Sequence, residues 1–146
     1  MLNGRIWFRL VRVRKIGMTD PVSHYLPARL PGLDIEVALA RLGNDTELYL
    51  DLIEDYREML KDFACQFRGF AAGLDAEGAR RGAHSLKGAA GTMGALILQG
   101  SAKALEQACK QGDLGQALAL LPQVENDIAE VLDSLARICR IHEITD

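Results

Sequence analysis

Beyond residue 34, apolar positions recur every three to four residues, the period of an α-helix rather than of a strand. Leu52, Tyr56, Met59/Leu60, Phe63, Phe67 and Phe70 keep this spacing and predict one long amphipathic helix over about 45–71. Asn44 is placed to cap it, with Glu47 reaching back as in a capping box, and Gly73 ends it. Asp75 caps a second helix that runs to about Gly91–Gly94. Leu96, Leu98, Ala102, Leu105 and Cys109 mark the inward row of a third, from about Ala95 to Gln111, closed by Gly112-Asp113. Leu118, Leu121, Val124, Ile128, Val131, Leu135 and Ile138 define a fourth over about 114–141. Pro122 falls inside it and should kink or divide it near Leu121. Upstream, Asp34 can cap a short helix reaching Leu42, with Gly43 as its stop.

Four amphipathic helices with short loops predict an all-α fold, an antiparallel four-helix bundle with a short accessory N-terminal helix. No strand alternation is visible after residue 17, and there is no internal repeat. The bundle is assigned to residues 30–142 and a basic, proline-containing, irregular leader to residues 1–29. Pro21, Pro27 and Pro31 forbid a long helix over 21–33. Residues 1–17 do not resemble the rest of the chain, and Met18-Thr19-Asp20 offers an alternative start. That stretch is read either as a poorly ordered leader or as an over-extended start. A basic segment touching an anionic membrane or nucleic acid is the weaker reading.

With 146 residues, 49% apolar and 25% charged, the chain fits one globular domain able to bury a core without disulfides. Its net charge of −3 is uneven: residues 1–30 hold six basic side chains against Asp20, while 31–146 hold eleven basic and nineteen acidic ones. So acidic a body argues against nucleic acid as the main partner. Cys65, Cys109 and Cys139 have neither disulfide nor zinc spacing, and each is expected as a buried, reduced thiol, which favours a reducing compartment. No apolar run is long enough to span a membrane, and arginines interrupt every apolar stretch from Ile6 to Ile16, so no signal peptide is read there. A cytoplasmic location is expected.

The informative stretch is Gly82-Ala83-His84-Ser85-Leu86-Lys87-Gly88-Ala89-Ala90-Gly91. At 100° per residue, Ala79, Ala83, Leu86, Ala90 and Met93 form a buried stripe, and His84 lies about 140° away, facing solvent. Arg80, Arg81, Lys87, Gly88 and Gly91 are its neighbours on that face. The cations should favour a neutral, nucleophilic imidazole. Lys87 could bond an anion held on the ring. Surface glycines at 88 and 91 sacrifice helix propensity, roughly 1 kcal/mol each, for close approach by a partner. Spacing by itself is as compatible with an ordinary surface histidine and a fraying helix.

This segment resembles the signature of histidine-containing phosphotransfer (HPt) domains, His-x-x-Lys-Gly followed by small residues, here His84 to Gly88. Leu30-Pro31-Gly32-Leu33-Asp34, Ala38 to Gly43, Tyr49, Ala102 to Glu106 and Gly112-Asp113-Leu114 are similar to the family as well, so the likeness spans about residues 30–140. Tyr56 departs from it, standing where such domains often carry Phe. The resemblance implies that His84 is the phosphoacceptor, that Lys87 steadies the phosphoryl group and that Gly88 leaves room for the partner. Arg80, Arg81 and Gly91 are added as partner-binding residues.

A histidine phosphotransfer protein of this kind would relay a phosphoryl group between receiver-domain aspartates in a two-component phosphorelay. Its expected partners are response-regulator receiver domains and a hybrid sensor kinase, with no nucleic acid and no membrane insertion, and the chain is expected as a monomer. It would be a carrier rather than an enzyme, having no Gly-x-x-x-x-Gly-Lys-Ser/Thr loop for ATP. It would need no cofactor or metal of its own, with Mg²⁺ expected on the receiver. The alternative is a helical module that binds a receiver or kinase without being phosphorylated. A metal enzyme using His24, His84 and His142 is remote, because the three have no ligand spacing.

Overall fold

The computed structural model describes residues 26–145. The segment 1–17 and His24 lie outside the described residues, as does the side chain of His142. Two short strands, β1 (Arg29–Leu30) and β2 (Leu33–Asp34), precede five helices: α1 (Ile35–Arg41), α2 (Thr46–Ala72), α3 (Ala76–Met93), α4 (Leu96–Lys110) and α5 (Leu114–Thr145). The last four form the bundle, and α1 packs against α3 and α2 at one end. The core is aliphatic with a few aromatics: Tyr49, Ile53, Phe63 and Phe67 of α2 meet Leu86 and Met93 of α3, Leu98 and Leu105 of α4 and Leu121, Leu135 and Ile138 of α5.

The expected boundaries hold to within a few residues, and the departures have local causes. The strand pair was not expected: two-residue strands are too short to show alternation. They pair antiparallel around Pro31-Gly32, where Gly32 takes a left-handed φ of 74°, as a Pro-Gly turn requires. The α2 cap is Asp45, whose Oδ1 accepts from the Leu48 amide at 3.0 Å. Asn44, expected there, has φ 60° and so belongs to the turn, since a cap residue must be extended. Asp34 and Asp75 cap α1 and α3 as expected.

Pro122 neither divides nor ends α5, which is one helix over 32 residues. Pro122 is exposed, so water can reach the carbonyl it leaves unbonded. Leu96 and Leu118, expected inward, are exposed, because Ala95 and Leu98 at the start of one helix and Ala117 and Leu121 in the other take the inward face and turn the two leucines off it. Of the three cysteines, Cys109 is buried, Cys139 is half-buried and Cys65 is exposed on the outer side of α2 between the inward Phe63 and Phe67. Among the described residues, no helix is long and apolar enough to cross a membrane.

The turn between α3 and α4 sets the geometry of the site. Gly94 closes α3 with a φ of 79°, and a Cβ there would collide with the Asp34 carbonyl. The Asp34 amide donates to the Gly94 carbonyl at 2.8 Å, tying β2 to this turn. The Tyr49 hydroxyl donates to the Met93 carbonyl at 3.2 Å from within the core. A connection this short obliges α3 and α4 to run antiparallel side by side.

Candidate functional site

Ala79, Ala83, Leu86, Ala90 and Met93 of α3 are all buried. With that stripe inward, His84 must face out, and 62% of its side chain is exposed. Facing it from α4 is Glu106, whose side chain is only 4% exposed. Its Oε1 lies 3.1 Å from His84 Nδ1 and 3.3 Å from Lys110 Nζ, and its Oε2 lies 2.7 Å from Lys87 Nζ. One buried carboxylate thus gathers the histidine and two lysines.

The electrostatics follow from that gathering. Lys87 contributes most, with His84 and Lys110 behind it, and together they overcome the cost of burial and hold the Glu106 carboxyl at about 2. Glu106 is therefore ionised at neutral pH and can only accept hydrogen bonds. The proton it shares with the ring belongs to Nδ1. In the neutral imidazole this leaves the lone pair on Nε2, away from the carboxylate. A carboxylate behind one ring nitrogen and a lone pair on the other is the arrangement of an oriented nucleophile.

The remaining expected residues divide. Gly88 is exposed, and a Cβ there would meet nothing within 4 Å. Gly91 is not part of this open face. It is buried, and a Cβ would come within 2.5 Å of Gln99 Nε2. Arg41 of α1 also donates to its carbonyl. The helical wheel put Gly91 on the open surface beside His84, but side chains from α4 and α1 fold over the last turn of α3 and bury it.

Nor do the cations stand free around the ring. Arg80 makes a two-pronged contact with Glu77, at 2.9 and 2.6 Å, and Lys87 is paired with Glu106. Arg81 lines a groove between α3 and α2 with Ser85, Asp55, Met59, Asp62 and Phe63.

Glu106 and Lys110 complete the charge network with Lys87, yet the sequence did not single them out for it. A signal existed: Glu106 falls in the inward arc of α4 with Ala102, Leu105 and Cys109, where an acid needs a partner, and Lys110 follows at i+4. Among the described residues, no group of three or more His, Cys, Asp or Glu side chains is arranged to hold a metal ion.

Comparison with known proteins bears on the fold that carries this site. The Hpt domain family matches residues 47–134. Among solved structures, the chain is similar to histidine-containing phosphotransfer protein B (HptB) from Pseudomonas aeruginosa PAO1. The identity is 28% and the TM-score 0.67, over 75% of this chain and 95% of that one. A search of curated proteins finds no match.

Proposed function

Because the chain belongs to the Hpt domain family of two-component phosphotransfer proteins, we propose that His84 is its phosphoacceptor and relays a phosphoryl group between aspartates of receiver domains. The observation that carries this reading is the pairing of His84 Nδ1 with the buried Glu106 carboxylate, which leaves the Nε2 lone pair free on an exposed ring, one helical turn from the open surface at Gly88.

In the forward step, the Nε2 lone pair attacks the phosphorus of a receiver's aspartyl phosphate. The N–P bond forms, the bond from phosphorus to the bridging aspartyl oxygen breaks, and the aspartate leaves as a carboxylate. The ring keeps its Nδ1 proton and gains positive charge, which Glu106 is positioned to stabilise. Lys87, one turn from His84, can turn from Glu106 to the phosphoryl oxygens. Gly88 offers no side chain to obstruct the receiver. Arg80 and Arg81 flank that surface on the preceding turn and would meet the partner at its edge. The return step reverses these bonds on a second receiver.

The receiver supplies Mg²⁺ and most of the stabilisation of the transferring group. The chain acts as a cytoplasmic, monomeric carrier fed by a hybrid sensor kinase, with no ATP site of its own.

Incubation with a radiolabelled phospho-receiver tests the proposal. Acid-labile, alkali-stable label should appear on the chain and vanish in His84→Gln. Equal label in His84→Gln would overturn the assignment, and binding without label on the wild type would support the non-phosphorylated binding module instead.

A further inference from the structure

Two lysines meet Glu106, and they are not equivalent. Lys87 sits on α3, the helix that carries His84, and pairs with Oε2, the oxygen that the ring does not use. Lys110 sits on α4, the helix that carries Glu106, and pairs with Oε1, the oxygen that accepts from the ring. Lys87 is 29% exposed and Lys110 is 51% exposed.

We propose that Lys110 is a positioning residue, which keeps Glu106 ionised and aimed at the ring while Lys87 is engaged by the phosphoryl group. The inference rests on the phosphotransfer reading and deepens it. A phosphoryl group on Nε2 introduces up to about two negative charges next to Lys87. Once Lys87 turns to it, Oε2 loses its closest cation while Glu106 stays buried. A buried carboxylate stripped of its cation tends to take up a proton, and a protonated Glu106 no longer stabilises positive charge on the ring.

The other groups that act on Glu106 cannot replace Lys87. The His84 ring is what Glu106 must hold, and it carries extra charge only while the phosphoryl group is on it. Arg80 on α3 is already held by Glu77, and the Cys109 thiol carries no positive charge. Lys110 remains, four residues on along the same helix, in the favourable order of acid before base. It stays with Glu106 without following the ring or the phosphoryl group.

Phosphoramidate provides a donor that needs no receiver: His84 Nε2 attacks phosphorus, the P–N bond breaks, and the nitrogen leaves as ammonia. Phosphohistidine formation in the full chain runs at weakly acidic to neutral pH, and timed samples are raised to mildly alkaline pH, where the adduct lasts, for ³¹P NMR. Lys110→Met should slow it about three- to tenfold with an unchanged melting curve. Lys110→Arg should restore the rate. In a Glu106→Gln background, Lys110→Met should add no further loss, because Lys110 acts through Glu106. A Lys110→Met rate equal to wild type, or an equal slowing in both backgrounds, would overturn the role of Lys110 while leaving His84 as phosphoacceptor. No label on the wild type would overturn both.

Discussion

Replacing Glu106 by glutamine keeps the shape of the side chain and removes the charge that gathers His84, Lys87 and Lys110. A carboxyl held at about 2 rather than 4.5 corresponds to roughly 3 kcal/mol of favourable interaction at neutral pH, already net of burial. His84 and Lys110 are each more than half exposed, so solvent screening reduces the expected loss to about 1–2 kcal/mol. The sign follows from the lowered value. Stability from the ionised form is present in full above 4.5 and disappears as pH falls toward 2. Urea unfolding of both proteins should therefore show Glu106→Gln less stable at neutral pH, with the gap closing between those two values. A gap independent of pH would refute the electrostatic account and point to packing. Glutamine can also donate to the ring, which weakens the choice of tautomer. Phosphorylation of His84 should slow by about tenfold, the difference between a charged and a neutral acceptor.

Two further substitutions probe the same face. Lys87→Ala should slow transfer or shorten the life of the phosphohistidine while far-ultraviolet circular dichroism stays unchanged; wild-type kinetics would show that Lys87 serves only Glu106. The same change at two glycines of the α3 segment should act oppositely in thermal melts. Gly88→Ala points into open space and should stabilise by about 0.5–1 kcal/mol, whereas Gly94→Ala meets a left-handed φ and the Asp34 carbonyl and should destabilise by at least about 1 kcal/mol. Gly88→Trp should also weaken receiver docking with little loss of stability, as read by titration calorimetry.

How much could be read in advance depends on the range of the interaction responsible. Helix period is local: the 3.6-residue repeat alone placed Ala79, Ala83, Leu86, Ala90 and Met93 inward and turned His84 outward. Caps are local too, and Asp34 and Asp75 followed from composition, although Asn44 and Asp45 could be told apart only by backbone angles. The family likeness was likewise contained in contiguous residues, His84 to Gly88 above all.

The partner of His84 was not legible in this way. Glu106 is 22 residues away on another helix, and its approach depends on how α3 and α4 pack across the Gly94 turn. That packing converts an acid in an apolar arc into an ionised anchor. It also covers Gly91 with Gln99 and leaves Gly88 bare. The order of residues along α3 was enough to say that His84 faces out and offers an imidazole as nucleophile. Which nitrogen of that ring is free came from the packing of α3 against α4, because a tautomer is set by the group opposite, and that group lies on a neighbouring helix.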